Sequence, residues 1–382
     1  MKKIKNKNYA LFLILLSVSL FFLFKAFKMA YLYQNHLDTS YDFGIAVQAA
    51  KLFWQNKIDV YKLVLENSTS TLKSNYEYLF DARYPHLLYI LLYPFTLFSI
   101  QLGKLFWFLT NLIFIILITQ KLIKIYDLNF RKSIILFTIF SSMAPLQNCL
   151  TMGQNSILII YFLTSYYYNK NCKFIFLTLS SIKYSCSFFF IFLSFIKKEN
   201  NFFYLVVINF LAIIFFSIFV ENFYFLQIFN PLIVALKLGN SNNFGVITNF
   251  FLFNNIYYYI FFLYLIFLFF FIKLKHKKSS NEFFIFFLLS SLIFIFSHGL
   301  YDSVLLFPLI AYILSKKNYL KTEVINIVYI FFISYYPYIK YLNDSLFSFK
   351  YYSLVSFIFS LISLLIFAFR ILKDKTTEIK AI

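Results

Sequence analysis

Long runs of apolar residues, interrupted only by short polar breaks, constrain this chain more than any other feature of its sequence. Of its 382 residues 61% are hydrophobic and only 13% are charged, and its mean hydropathy is +0.75. A helix that crosses a bilayer needs about 20 predominantly apolar residues. The sequence therefore predicts an all-α polytopic membrane protein, with candidate spans at 9–30, 104–122, 133–148, 156–169, 202–220, 250–272, 283–297, 303–315, 323–339 and 351–369.

Basic residues set the predicted orientation of these spans. A formal net charge of +20 on a soluble protein would indicate a nucleic-acid partner. Here Lys and Arg instead flank the apolar segments on one side, as the positive-inside rule expects. We therefore predict a lipid bilayer as a partner and no nucleic acid. The basic tail at 2–7 continues into an apolar segment without a small-residue cleavage motif, which indicates an uncleaved signal anchor.

The ambiguous region 173–196 is assigned by the same rule. A single crossing there would move every later basic cluster to the opposite side, so a hairpin of two short helices meeting at Lys183 is favoured. The result is about twelve helices in the cytoplasmic membrane with both termini in the cytoplasm. The cytoplasmic side then holds most of the 35 Lys and Arg residues, in the N-terminal tail, 121–132, 170–173, 197–198, 273–278, 316–321 and 370–380.

The first external loop, 31–103, is predicted to carry helices that lie parallel to the membrane. A full crossing by 86–99 would place the basic segment 121–132 outside, and Pro94 in its middle favours a broken, shallow helix. No soluble domain or internal repeat is evident. The chain, 1–382, is therefore predicted to form one transmembrane domain.

This loop contains a candidate catalytic base, Asp42, directly after the first span. It precedes a short segment whose apolar residues suit a helix at the interface. The simple interpretation is that Ser40 or Asp42 is the N-cap of that helix. The functional alternative is a general base placed where a lipid-borne leaving group meets a polar acceptor.

Two further motifs lie at the same predicted face. Gly153-Gln154-Asn155 ends a helix, where Gly suits the left-handed conformation and the two amides could bond sugar hydroxyls. Lys183 lies at the tip of the predicted hairpin between apolar stretches. An ammonium at such depth is costly without an anion, which favours a lipid phosphate as its partner; snorkelling to the headgroups is the alternative.

Four more residues are candidates for binding substrate. His298 and Asp302 share a predicted external turn with Tyr301, and together they could bind phosphate or direct a proton. Arg83 and Tyr84 precede a proline that suits the first turn of a helix, and Arg83 could bind phosphate or sugar. The predicted topology, which uses basic charge alone, places all the strongest candidates on one face: Asp42, Arg83, Gln154, Asn155, Lys183, His298 and Asp302.

The sequence predicts no metal ion and no cofactor. Its three cysteines form no CxxC pair, and no second acidic residue forms a DxD pair with Asp42. No P-loop or Rossmann glycine pattern is present, so no nucleotide-sugar site is expected.

The order and spacing of these motifs resemble glycosyltransferase family 87 over residues 38–310. The elements that carry the resemblance are Asp42-Phe43, Ala49-Ala50-Lys51-Leu52, Asp59-Val60-Tyr61, Arg83-Tyr84-Pro85, Tyr93-Pro94, Gly153-Gln154-Asn155, Ile182-Lys183, His298, Tyr301-Asp302 and Pro308. The resemblance implies a GT-C fold with a catalytic Asp in the first external loop, matched by Asp42. It also implies a polyprenyl-phosphate-linked sugar donor and a mannosyltransferase-like activity.

The expected function is thus transfer of a hexose from a polyprenyl-phosphate donor to a glycolipid or cell-envelope glycan, at the outer face of the cytoplasmic membrane. The transfer would be inverting. One alternative is a transporter or flippase of lipid-linked saccharides, which would show inverted repeats and polar groups near the bilayer midplane. Another is an O-antigen-polymerase-like protein, which would need Arg-rich external loops, whereas loop 221–249 has only Lys237.

Overall fold

The chain is helical throughout the parts that the structure, a computed structural model, describes. These are residues 2–32, 42–67, 84–169, 171–220, 229–230, 234, 281–294, 300–316, 321–342 and 349–379. Within these ranges there is no β-strand, which confirms the all-α prediction for them. The candidate span 250–272 and the residues Arg83 and His298 lie outside the described residues.

The helices follow one another closely along the chain. The first half contains α1 (Lys2–Phe27, continued by a π-helical turn, Lys28–Leu32), α2 (Asp42–Asn56), α3 (Val60–Asn67), α4 (His86–Leu91), α5 (Tyr93–Thr96), α6 (Ile100–Ile125), α7 (Phe130–Ser142), α8 (Ala144–Met152) and α9 (Ser156–Tyr168). The second half contains α10 (Lys173–Ser180), a 3-10 turn (Ser181–Lys183), α11 (Tyr184–Ile196), α12 (Asn200–Phe219), α13 (Asn281–Phe294), a 3-10 segment (Leu300–Leu306), α14 (Phe307–Ser315), α15 (Lys321–Leu342) and α16 (Phe349–Ile379).

Three of the described helices are long and apolar enough to cross a membrane. They are Ala10–Tyr31, Ile100–Ile125 and Asn200–Phe219, and α7 with α8 would make a fourth if the bent pair counts as one span. These helices support a membrane protein, whereas the count of twelve spans and the orientation of the termini stay predictions.

Prolines and turns divide several of the predicted spans. The predicted span 133–148 is two helices, α7 and α8, bent by 56° at Met143. Pro145 explains the bend, because in a continuous helix its ring would clash with the carbonyl four residues earlier. The predicted break at Lys183 is confirmed: α10 and α11 are separated by the turn Ser181–Lys183. The predicted break in 86–99 is also confirmed, at Leu92, with Pro94 in the first turn of α5.

The described residues divide into two compact units. Unit 1 comprises 1–24, 116–148 and 243–382, and unit 2 comprises 25–115 and 149–242. In unit 1, α13 and α15 pack against α16, and α14 packs against α7. In unit 2, α10 packs against α9 and α12, and α2 packs against α4 and α5. The prediction of one functional domain stays a prediction.

A network of charged side chains joins four helices of unit 1. Arg370 of α16 donates to Glu323 of α15 at 2.6 Å and to the hydroxyl oxygen of Tyr312 at 3.1 Å. The Tyr312 hydroxyl in turn donates to Glu282 at 2.8 Å, and the Lys316 ammonium lies 4.2 Å from the Tyr312 ring centroid. Glu323 is only 2% exposed. The network therefore replaces the hydration that these charges lose on burial.

Lys132, at the start of α7, contacts the end of α14 beside this network, whereas the membrane side on which these helix ends lie stays a prediction. The Lys132 ammonium donates to the carbonyl oxygen of Lys316 at 3.4 Å, so the start of α7 lies beside the same helix ends. Each of these helix ends adjoins a basic segment that the positive-inside rule assigned to one side of the membrane, namely 121–132, 273–278, 316–321 and 370–380.

A buried histidine holds α3 and α4 of unit 2 against α12. The His86 ring packs between Tyr61 and Phe216, at centroid distances of 4.8 and 4.7 Å. Phe216 in turn stacks on Phe53 of α2 at 3.9 Å. Burial lowers the pKa of His86 from its usual 6.5 to about 3. His86 is therefore neutral in the folded protein at physiological pH.

We expect His86 to make unit 2 less stable as the pH falls from about 6.5 towards 3. The unfolded chain takes up a proton on His86 below about pH 6.5, whereas the folded protein does not, so each lower pH unit favours unfolding by up to about 1.4 kcal/mol. The expected loss between pH 7 and pH 5 is about 2 kcal/mol, measured by denaturant unfolding in detergent. A His86→Phe variant, which keeps an aromatic ring at this position, should lack this component. An equal pH dependence in both proteins would contradict the prediction.

Candidate functional site

The carboxylate of Asp42 is hydrogen-bonded to the turn between α8 and α9. Asp42 is the first residue of α2 and is partly buried, and the Nε2 amide of Gln154 donates to its Oδ2 atom. Because a carboxylate only accepts hydrogen bonds, this contact fixes the orientation of the Gln154 amide: its nitrogen faces Asp42 and its oxygen, Oε1, faces away. Two predicted site residues that are 112 positions apart in sequence are thus in direct contact.

Gly153 allows this contact because it has no side chain. Its φ is +68°, and the Gln154 N–H donates to the Cys149 carbonyl at 2.9 Å, which is the Schellman ending of a helix. A Cβ atom on Gly153 would lie 2.5 Å from the Cβ of Phe43, the residue after Asp42. The predicted glycine turn is therefore confirmed, and it has a second role as the point where α2 approaches.

Aromatic rings fix the start of α2 against this turn. Phe43 stacks on Trp107 of α6 with 5.1 Å between ring centroids, and Phe95 of α5 meets Phe43 edge to face at 5.6 Å. The Trp107 indole N–H also donates to the Gly153 carbonyl at 2.8 Å. The position of Asp42 thus depends on packing from α5, α6 and the turn together.

A Gly153→Ala substitution is expected to destabilise unit 2 and to misplace Asp42. The positive φ costs about 1 kcal/mol for a residue with a Cβ, and overlap with Phe43 adds about 1–3 kcal/mol. Gly103→Ala is the matched control, because its Cβ would meet the Phe43 ring at an ordinary 3.6 Å. Unfolding in detergent should show a loss of about 2–4 kcal/mol at position 153 only. Similar stabilities for the two variants would contradict this role of Gly153.

The helix that follows the turn begins with a residue that binds Lys183. Ser156 is the first residue of α9, and the Lys183 ammonium donates to its hydroxyl oxygen at 3.1 Å. Lys183 itself ends the 3-10 turn that separates α10 from α11. Since Cα atoms of consecutive residues are 3.8 Å apart, those of Gln154 and Ser156 are separated by no more than about 7 Å. Asp42 and Lys183 therefore contact two residues, Gln154 and Ser156, that are two positions apart at the junction of the turn with α9.

Two amide oxygens of this turn have no hydrogen-bond partner among the described residues. They are Gln154 Oε1 and Asn155 Oδ1, on side chains whose residues are 1% and 4% exposed. Asn155 occupies the N-cap position of α9, yet its side chain makes no capping hydrogen bond. Buried acceptors without donors are uncommon in folded proteins and cost about 1–3 kcal/mol each.

The Lys183 contact lies at the start of α9, and a second group of charged side chains lies near its other end. Near the end of α9 the Tyr166 hydroxyl donates to Glu199 at 3.1 Å, and the Lys173 ammonium lies 5.9 Å from the Tyr166 ring centroid. Ten residues of helix separate Ser156 from Tyr166, a rise of about 15 Å. Within unit 2, Lys183 and Lys173 therefore contact opposite ends of α9, and their placement on opposite membrane faces stays a prediction.

No protein-family model, curated protein or solved structure matches this chain. The function is therefore inferred from the cluster itself.

The remaining predicted site residues have different surroundings. The Tyr84 carbonyl accepts from the Tyr61 hydroxyl, which joins the segment before α4 to α3. Asp302 is fully buried in the 3-10 segment of unit 1. Arg83 and His298 lie outside the described residues. The structure thus brings together Asp42, Gln154, Asn155 and Lys183, all within unit 2.

Sequence reasoning missed Ser156 as the partner of Lys183 and Phe43 as the residue that contacts Gly153. A serine directly after a glycine turn is a common helix-start signal, which could have indicated Ser156. The Phe43 contact has no local signal, because it joins positions far apart in sequence. Among the described residues, no three His, Cys, Asp or Glu side chains meet in a way that could hold a metal ion.

Proposed function

We propose that this chain is a membrane glycosyltransferase of the GT-C type, as its resemblance to glycosyltransferase family 87 implies. It would move a hexose, such as mannose, from a polyprenyl-phosphate donor to a lipid-linked or cell-envelope acceptor at the outer face of the cytoplasmic membrane. The observation that carries the proposal is that Asp42 and Lys183 contact buried residues only two positions apart, Gln154 and Ser156.

Asp42 is the general base of the proposed reaction. It takes the proton from the acceptor hydroxyl while that oxygen bonds to the anomeric carbon of the sugar, and the bond from that carbon to the lipid phosphate breaks. Gln154 stabilises the carboxylate orientation by donating to Oδ2. A base positioned in this way contributes about 10²–10⁴ in rate.

Lys183 and the start of α9 attract the lipid phosphate in this proposal. The N-terminal end of a helix carries a partial positive charge, and the Lys183 ammonium lies against the first residue of α9. Together they would stabilise the charge that develops on the departing phosphate.

The length of α9 suits a lipid-linked substrate. Its 13 residues span about 20 Å, whereas the apolar core of a bilayer is about 30 Å thick. If the Lys173 end of α9 lies at the cytoplasmic boundary, the cluster lies about 10 Å below the opposite surface. A donor whose phosphate is attached to a membrane lipid could reach the cluster by diffusing sideways within the membrane.

Transfer from labelled polyprenyl-phosphate sugars tests the function. Purified protein in lipid nanodiscs is incubated with donor and acceptor lipid, and labelled product is identified. We expect Lys183→Gln to lower kcat/KM for the donor by about 10–100-fold, since a hydrogen bond to a charged group contributes about 1.5–3 kcal/mol. Lys183→Arg should restore part of this loss.

The control is Lys51→Gln, which removes an ammonium that donates to the Phe98 carbonyl at 3.2 Å in the same external region. Its kcat/KM should equal that of the wild type. Transfer that is unaffected by Lys183→Gln would contradict the phosphate-binding role, and absence of transfer from every polyprenyl-phosphate sugar would contradict the function.

A transporter of lipid-linked saccharides is the second candidate, and one observation in unit 1 favours it. Asn326 of α15 is fully buried, and neither atom of its amide has a hydrogen-bond partner among the described residues. Polar groups buried in membrane helices commonly mark a substrate pathway. Movement of a labelled lipid-linked saccharide between the leaflets of proteoliposomes, abolished by Asn326→Leu, would favour this candidate.

A further inference from the structure

The two unpartnered amide oxygens, Gln154 Oε1 and Asn155 Oδ1, differ chemically from the rest of the cluster. Lys183 is positively charged and suits an anion, whereas an amide oxygen is an acceptor and suits a hydrogen-bond donor. Both oxygens are buried, and their residues are adjacent in sequence. A ligand that satisfies both must present two hydrogen-bond donors, one for each oxygen.

The Asp42 carboxylate fixes which atom of the Gln154 amide is available to a ligand: it is the oxygen, Oε1, which only accepts hydrogen bonds. If the Gln154 amide rotated by half a turn, its oxygen would face the Asp42 carboxylate, and two acceptors would repel. The carboxylate therefore holds Oε1 on the side away from Asp42. An anionic group placed against Oε1 would be repelled for the same reason.

We propose that Gln154 Oε1 and Asn155 Oδ1 form a subsite for two neighbouring free hydroxyls of a neutral sugar. The identification of this ligand as the transferred sugar rests on the proposed function. The subsite adds a basis for selecting among sugars. The subsite accepts an unmodified hexose and rejects sugars that lack a hydroxyl there or carry a carboxylate in its place. A site built to hydrogen-bond a hydroxyl leaves its own polar atoms buried and unpaired when an analogue lacks that group.

Sugar binding can be measured without transfer, because the protein has only two tryptophans. Trp107 donates to the Gly153 carbonyl and therefore reports on the turn, whereas Trp54 donates to the Tyr89 carbonyl in another part of unit 2. A Trp54→Phe variant leaves Trp107 as the single tryptophan, whose fluorescence is excited at wavelengths that tyrosine does not absorb. The probes are a hexose methyl glycoside, its four monodeoxy analogues and the corresponding uronic acid, titrated into the full-length protein in nanodiscs.

We expect saturable quenching or enhancement of Trp107 fluorescence with the parent glycoside. Two analogues that lack neighbouring hydroxyls should bind at least 10-fold more weakly, and the uronic acid should do the same if the 6-deoxy analogue is one of the two. Asn155→Ala should weaken binding of the parent glycoside by about 10-fold and should leave binding of one of those two analogues unchanged. That pairing of one residue with one hydroxyl is a result that a purely structural role of Asn155 would not produce.

The matched control is Asn169→Ala, at the opposite end of α9, which should leave every affinity unchanged. The proposal is overturned if all monodeoxy analogues bind as the parent does, or if Asn155→Ala weakens all of them equally, because the oxygens would then bind only water. It is also overturned if no probe binds. Sugar selectivity without transfer from any polyprenyl-phosphate donor would retain this subsite and contradict the transferase function alone.

Discussion

Replacing Asp42 by Asn is expected to lower sugar transfer by about 10²–10⁴-fold, while the protein remains folded. Asn has nearly the same shape as Asp, and its amide oxygen can still accept from Gln154 Nε2, so the contact between α2 and the turn is retained. What is lost is the ability to take a proton. The measurement is the initial rate of product formation from labelled donor in nanodiscs, at saturating acceptor.

Asp59→Asn is the control that separates loss of the base from loss of a carboxylate in the same region. Asp59 is buried, and its Oδ1 atom accepts from the Tyr61 N–H at 2.9 Å, at the start of α3. Its replacement keeps an oxygen that can accept from the same N–H, because Asn and Asp cap helices equally well, and it should leave both the stability and the rate near those of the wild type. Equal rates for Asp42→Asn and the wild type would remove Asp42 from the role of base.

Breaking the buried ion pair of unit 1 is expected to have the largest effect on stability. Arg370→Met leaves the Glu323 carboxylate, 2% exposed, without its 2.6 Å contact to a guanidinium. Removal of one partner of a buried pair costs about 3–5 kcal/mol, because the remaining charge stays desolvated. The Tyr312 hydroxyl also loses a donor, and the packing of α15 on α16 is weakened at that end.

The double variant Glu323→Leu with Arg370→Met gives the test of mechanism. With both charges removed, the loss should be smaller than for Arg370→Met alone, since no unpaired charge remains in the interior. Unfolding in detergent, followed by helical circular dichroism, measures both. A double variant less stable than either single variant would show that the helices depend on these side chains for packing and not for charge balance.

The local features of the fold were predictable from sequence, because each has a local cause. Gly153 was expected to end a helix, and Lys183 was expected to separate two short ones. Both expectations are confirmed, since a positive φ and a polar break between apolar runs act on the adjacent backbone alone. The bend at Met143 was not predicted, although Pro145 is a sequence signal for it, because the span was assigned from hydropathy alone.

The long-range contacts were only partly predictable from the sequence. Charge asymmetry predicted that Asp42, Gln154, Asn155 and Lys183 would share a face, and the structure places all four in one cluster of unit 2. Charge asymmetry could not predict that the Gln154 amide nitrogen would donate to Asp42 and so be unavailable to a substrate, because that contact depends on the packing of Phe43. The pairing of Glu323 with Arg370 could not be predicted from the sequence either, because it joins positions 47 residues apart.

The glycine at 153 has a mechanical consequence. The backbone of the turn approaches the Cβ of Phe43, and Trp107 contacts both, so we expect the carboxylate and the amides to move together. In the proposed reaction, a bulky glycolipid would then enter by displacing other elements around Asp42 and the turn. The alignment between base and sugar would then be set before the substrate arrives.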